Sequence, residues 1–583
     1  MFQIMFNNYN INQTSLNMAI EFIPEKDHEA YYINELVESI EFHDSYETGR
    51  PREYDLRAVL KLVLFSYLRG RYTCRQIERE ARENIYARWL TQEHVPSYRT
   101  IARFIVSDEA MEMIQSSFES MRSFLVEHNL IDDCVFIDGT KILANANKYS
   151  FVWKKKIIHY DDLNREKAEV ILNEIKEVET TAFSESLPMD YDNLDLTIAK
   201  LEERIEQLDL KVEETKKISP NSAKRVRRIM KSKLNKTKHI SEKHDKYSED
   251  MKIFGERNSF SKTDHDATFM RVKEDPMQNG QLKPGYNLQI ATSNQFTLDY
   301  DLFWNPTDTR TLIPFLKTLE THRVLGRFIV ADAGYGSESN YRYIEDELLD
   351  QTSLIPYGTM LKENSRKWKS DEKKVLNWDY HDIDDYYIDP NGVRFNFLRV
   401  TIRTDKYKFK RQFRCYKAES KDENQEIIDA AFNKSGGVRY IYINSEWEYF
   451  KAHEREKLYG KVGAKIYAQR KIDVEPVFGH LKAYLHFTRF TVRGTDKVKS
   501  QMGLALMAMN MGKLAKRMAF SLKNKRTRTG NLRISKFWSY FLWSFVTSSY
   551  LRLYSKTERA FSHSVYSSIL KYLYFVQLSP YRN

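Results

Sequence analysis

Two short apolar runs, each closed by a solitary aspartate, constrain this chain more than any other feature. In VFIDGTKI, residues 135 to 142, Val135, Phe136 and Ile137 lead to Asp138, Gly139 and Thr140. In RFIVADAGYGS, residues 327 to 337, Phe328 to Ala331 lead to Asp332, with Gly334 and Gly336 beyond it. Such runs, stopped by small residues, read as buried strands. The first is expected to end at Asp138. If the two strands lie adjacent and parallel, their carboxyl ends bring both acids to one edge of a sheet, where α/β proteins place their sites. Two like charges in a half-buried cleft need a cation, and hard oxygen ligands select Mg²⁺ or Mn²⁺. Taken singly, either aspartate reads as a turn or cap residue. Only the conjunction points to a site.

A third carboxylate stands in KIYAQRKIDVEPVFGHLKAYLHF, residues 465 to 487. A continuous helix there puts Tyr467, Lys471, Glu475, Phe478 and Lys482 on one face, with Val474, Val477, Leu481 and Leu485 as its core stripe. Pro476 places Glu475 at a helix start or bend, because proline removes a helical hydrogen bond. A surface ion pair between Glu475 and a lysine is the plain alternative.

The rest of the chain alternates in character. Its 583 residues predict two to four compact units, and a net charge of +11 suits a partner rich in phosphate or simply a soluble surface. Residues 1–53 read as an arm and 54–128 as a helical unit. In that unit Asp55, Thr73 and Ser97 start helices carrying Arg75, Arg99 and Arg103. This pattern fits a helix-turn-helix DNA binder or ordinary helical packing with a basic face. Segments 129–159, 259–357 and 461–520 have the cadence of one mixed α/β layer. Between them, 160–258 carries a heptad seam of Leu194, Ile198, Leu201, Ile205, Leu208 and Val212, broken at Pro220 and Asn221 and followed by a basic arm. The seam serves a helical hairpin or a dimer. Residues 358–460 are β-rich, and 521–583 form a basic, aromatic tail. Three scattered cysteines, Cys74, Cys134 and Cys415, exclude a disulfide framework and a cysteine zinc site and fit a reducing cytosol. No signal peptide or membrane span is expected.

With FIDGTKI, VADAGYGSESNY, VEPVFGHLK and the block SKTDHDATFMRVKEDPMQNGQLKPGYNLQIAT (261–292), the chain resembles the DDE transposases of bacterial insertion sequences, more narrowly the insertion sequence eleven-eighty-two type. The likeness spans about Tyr54 to Lys516. It implies a ribonuclease H-like catalytic core, two Mg²⁺ or Mn²⁺ ions held by Asp138, Asp332 and Glu475, and DNA cleavage and strand transfer by in-line displacement at phosphorus. Lys482 matches the lysine that follows the glutamate in related enzymes. Tyr467 and Arg470 keep their mutual spacing but sit one residue too far from Glu475, so that Lys471 occupies the offset expected of the arginine. The implied partners are double-stranded DNA, both transposon ends and target, and a second copy of the chain. The implied setting is the bacterial cytoplasm, on the nucleoid. A nuclease that cuts without joining, or a catalytically silent DNA-binding regulator, is the alternative.

Overall fold

The computed structural model describes residues 22–40, 52–182, 191–214, 222–272, 280–421 and 427–528. The seam interruption at Pro220 and Asn221, residues 273–279 of the 261–292 block, much of the N-terminal arm, and the tail beyond 528 lie outside them.

Six strands build the central sheet, five of them β1 (Cys134–Leu143), β2 (Leu282–Ser293), β3 (Phe296–Phe303), β4 (Phe328–Val330) and β5 (Thr352–Leu354). Their order is β3-β2-β1-β4-β5, with the short strand Thr268–Arg271 beside β3 on the outer edge of β2. β1, β2 and β3 pair antiparallel, whereas β1, β4 and β5 pair parallel. This is the ribonuclease H-like mixed sheet. β1 does not end at Asp138 as its sequence suggests. It runs on to Leu143 because β2 pairs with it from Phe136↔Thr292 to Leu143↔Gly285, and that ladder overrides the turn-like Gly-Thr pair.

β2 and β3 form a hairpin, and its turn residues Asn294 (φ 51°) and Gln295 (φ 65°) are both left-handed, as a two-residue hairpin turn requires. That turn supports the helix Lys461–Gly479, which continues through Pro476 without ending there. Proline offers no N–H to the carbonyl of Ile472, and the side-chain amide of Gln295 donates to that oxygen instead at 2.8 Å. One residue on, Asp473 is 2 % exposed. It accepts from Thr292 Oγ1 at 2.7 Å and from the Gln295 N–H at 3.1 Å.

Amino-terminal helices pack into the same core as the sheet. Asp55 caps Leu56–Leu68, Thr73 forms a reciprocal capping box with Gln76 at the head of Cys74–Glu83, and Ser97 caps Tyr98–Ile105. The supposed arm contributes a helix of its own, Glu29–Ser39, whose Ile33, Leu36 and Val37 are buried. A long helix, Thr495–Arg528, lies between these helices and the sheet. Two glycines let it approach so closely. A methyl at Gly503 would stand 2.6 Å from Ile114, and one at Gly512 would stand 2.5 Å from Leu68.

The first insertion is three helices, Lys154–Ala182, Leu194–Glu214 and Ser222–Phe254. Its seam is consumed internally: Leu194, Leu201, Ile205 and Leu208 pack with Leu172, Ile175, Met230 and Ile240 in a separate core. A dimer built on that seam is therefore not what the seam does here. Part of the basic arm is paired within the bundle too, Arg227 and Lys231 with Asp209 at 2.7 and 3.1 Å. The second insertion carries a five-stranded antiparallel sheet, after which the helix Ser445–Tyr459 rejoins the main core through Phe450 and Leu458.

Replacing Asp473 with alanine takes one acceptor from the Gln295 N–H and leaves the Thr292 hydroxyl only the Phe136 carbonyl at 3.4 Å. Urea unfolding should show a loss of about 2 kcal/mol, and a loss below about 0.5 kcal/mol would mean that the turn does not brace the helix.

Candidate active site

Parallel pairing of β1 with β4 ends at Phe136↔Val330. Two residues further along each strand path stand Asp138, still within β1, and Asp332, in the loop after β4. The equal offset sets the two acids level at the point where β1 loses its neighbour. Here a notch opens in the sheet.

The electrostatics follow from that placement. Burial pushes the Asp138 carboxyl up to about 6, with the charge of Asp332 as the second cause. Working the other way are the Gly139 N–H, which donates to Oδ1 at 2.8 Å, and then the Arg470 guanidinium; Asp308 adds a last upward push. Asp332 accepts the Gly334 N–H at 2.8 Å. Thr292 and Phe136 are paired, so the face that carries Asp138 is the one covered by the helix Lys461–Gly479.

That helix sends Arg470, not Lys471, into the notch. Arg470 NH1 stands 3.3 Å from Asp138 Oδ2 with its side chain 12 % exposed, while Lys471 is exposed. Tyr467 lies beside it, its hydroxyl raised by burial and felt by Asp332 and Asp138. Arg470 Nε is buried and, among the described residues, has no hydrogen-bond partner. A buried donor left open at a charged site suits an incoming oxygen.

Glu475 sits on an exposed flank of the same helix, inside it rather than at a start or break. Among the described residues no three His, Cys, Asp or Glu side chains converge to hold one ion. The fold thus brings Asp138 and Asp332 together and leaves Glu475 aside. A π-helical turn, His480–Tyr484, follows, so the seven residues from Glu475 to Lys482 are not two plain α-turns, and Lys482 Nζ reaches back to the Lys141 carbonyl at 3.0 Å. As a donor set, two oxygen acids in a half-buried notch with excess negative charge fit a divalent cation.

Behind the notch, on the opposite face of the sheet, lie residues that sequence reading missed: Asn287, Gln289, Asp308 and Tyr335. Their signal was two amides at alternating positions of an otherwise apolar strand, NLQIAT, which implies a buried polar network. The second insertion reaches the same edge. Tyr407, at the tip of its longest hairpin, lies 3.1 Å beneath the Arg310 guanidinium, and buried Glu338 ties Arg411 of that hairpin at 3.2 Å to Asn444 at 2.7 Å. Arg75, Arg99 and Arg103 are all exposed, and the first two flank the Tyr98 ring at 5.2 and 5.8 Å.

No helix among the described residues is long and apolar enough to cross a membrane. No curated protein and no solved structure gives a significant match. Two families do match: Transposase DDE domain over residues 258–511, and Transposase domain (DUF772) over residues 17–107. The first covers β2 to β5 and the helix carrying Arg470, and the second covers the amino-terminal helices up to Ile105. Both descriptions name one class of protein, and together with the mixed sheet they support a DDE transposase.

Proposed function

We propose that this chain binds the terminal inverted repeats of an insertion sequence of the eleven-eighty-two type and cuts and joins DNA at the Asp138–Asp332 notch. The observation that carries the reading is the level placement of two acids on neighbouring parallel strand paths, with an arginine whose Nε is unpaired beside them. When bound, Mg²⁺ or Mn²⁺ supplies charge neutralisation and activates a water or a DNA 3′-hydroxyl for in-line attack at phosphorus. Asp138 and Asp332 hold the ions. The resemblance assigns the third ligand to Glu475, which stands on the exposed flank of the helix that delivers Arg470 to Asp138, so that this helix must turn about its axis for Glu475 to reach the ions. Arg470 Nε and the Tyr467 hydroxyl grip the phosphate at the cut, and Lys471 and Lys482 hold backbone further along, positioning the DNA without reading it. Arg75, Arg99 and Arg103 engage the terminal repeats from the amino-terminal helices. Work on two DNA ends calls for two copies of the chain, joined elsewhere than the internal seam.

The test is a single-turnover reaction on end-labelled repeats with Mg²⁺, scored for nicks and for strand-transfer products. Nicks without joined products would reduce the protein to a nuclease. Asp138→Asn should abolish both while end binding stays within about threefold of wild type.

The same variant carries a stability signature. The folded-state value of Asp138, about 6, stands above its ordinary 3.8. The acid therefore lends stability below pH 4 that is lost as pH climbs through 6, and an amide never incurs that loss. Asp138→Asn should stabilise the metal-free protein at pH 8 by roughly 1–3 kcal/mol in denaturant unfolding; a less stable variant would make Asp138 a structural residue.

Mn²⁺ must displace the Asp138 proton. Its affinity, followed by titration calorimetry, should be level above pH 7 and fall about tenfold per pH unit well below 6, and a flat profile down to pH 5 would remove Asp138 from the ion site. Arg470→Ala should slow cleavage by about 10²-fold and Lys471→Ala by less than about threefold; the reverse ranking would return the phosphate grip to Lys471.

A further inference from the structure

We propose that Asp308 is a positioning residue that fixes Asp138 and Asp332 relative to each other; this rests on the reading of the notch given above. Beyond Phe136, β1 has lost its parallel neighbour, and in the stretch from Asp138 to Lys141 its only strand partner among the described residues is β2, with the Lys482 ammonium on the Lys141 carbonyl. Something else must hold it still. Gly139 and Lys141 pair with Gln289 and Asn287, and both of these amides are fully buried.

Each polar atom of the two amides has a partner. Gln289 Nε2 donates to Asn287 Oδ1 at 3.2 Å and to Asp308 Oδ1 at 3.1 Å. Asn287 Nδ2 donates to the Asn305 carbonyl at 3.0 Å and to the same Asp308 oxygen at 2.8 Å. The Tyr335 hydroxyl donates to Gln289 Oε1. One carboxylate oxygen thus takes two buried N–H groups, a task suited to an anion. The β1 backbone lies directly on this network, because a methyl at Gly139 would collide with the Gln289 amide and stand 2.9 Å from Asp308 Oδ1.

The loop bearing Asp308 is also tied to the other acid. Thr309 Oγ1 donates to the Gly334 carbonyl at 2.6 Å, and Asn340 Nδ2 donates to the Thr309 carbonyl at 2.9 Å. Asp308 therefore connects the strand of Asp138 with the loop of Asp332 without belonging to either. Without it two buried N–H groups lose their acceptor, the amides turn, and the two acids part.

The test is Mn²⁺ binding to the full chain by titration calorimetry and electron paramagnetic resonance. Asp308→Ala should weaken affinity by about 10-fold or more and broaden the Mn²⁺ signal. Asp308→Asn, which keeps the accepting oxygen, should recover most of that loss. Wild-type affinity in the alanine variant, or an asparagine variant no better than alanine, overturns the proposal. If the alanine chain does not fold, Asp308→Ser replaces it and wild-type affinity there has the same force. Asp138→Asn is run alongside: undiminished binding in it sinks the notch itself, whereas lost binding in it with a wild-type-like Asp308→Ala sinks only the role of Asp308.

Discussion

Everything at the notch depends on where a parallel ladder stops. β4 leaves β1 after Val330 while β2 stays paired with it for seven residues more, to Leu143. Had the parallel pairing continued, Asp138 and Asp332 would be neighbours inside a filled sheet, and two ionised acids there would be intolerable. Because it stops, both sit at an opening, one on a stiff strand and the other on a loop. The remaining repulsion is met locally by backbone N–H groups at Gly139 and Gly334 and by one guanidinium from above. It is not fully relieved, and it adds to the burial that chiefly displaces the Asp138 carboxyl upward. Two acids held this close at a half-buried edge form a donor set that suits a cation.

The notch is stiff because the body around it is one piece. The helix Thr495–Arg528 touches Leu68 of the amino-terminal helices through Gly512 and β3 through Gly503, where Tyr300 also donates to the Lys499 carbonyl at 2.9 Å. DNA held by Arg75 and Arg99 would therefore be held by the body that carries Asp138. A second brace comes from the β2–β3 turn, which holds the helix of Arg470 at its proline by replacing the bond that proline cannot make. That helix delivers its arginine from a fixed height.

Both insertions enter between elements of this body, yet they relate to it differently. The three-helix insertion closes its own core and spends its heptad seam internally. The β-rich insertion is fastened to the site edge by buried Glu338 and by Tyr407 stacked on Arg310, two residues from Asp308. Of the two, the second is the one that touches the loop bearing Asp308.

Local signals were legible from residues alone. Asp55, Thr73 and Ser97 start helices because a cap needs only its next three residues, and the β2–β3 turn is set by its own two. The pair Asp138 and Asp332 was legible because two similar runs ending alike, once parallel, must end level. What only the tertiary structure decided involves residues far apart in the chain. β1 passes Asp138 because β2 pairs with it, against the turn-like Gly139 and Thr140. Arg470 rather than Lys471 faces the acid because one helical step turns a side chain by about 100°, and packing against the sheet picks the angle. Glu475 remains on the flank for the same reason, and Asp308 gains meaning only from amides of β2 that precede it by some twenty residues. Sequence sets what each short segment prefers to be; which face it shows its neighbours is settled only when distant segments meet, because contact energy between them exceeds any local preference.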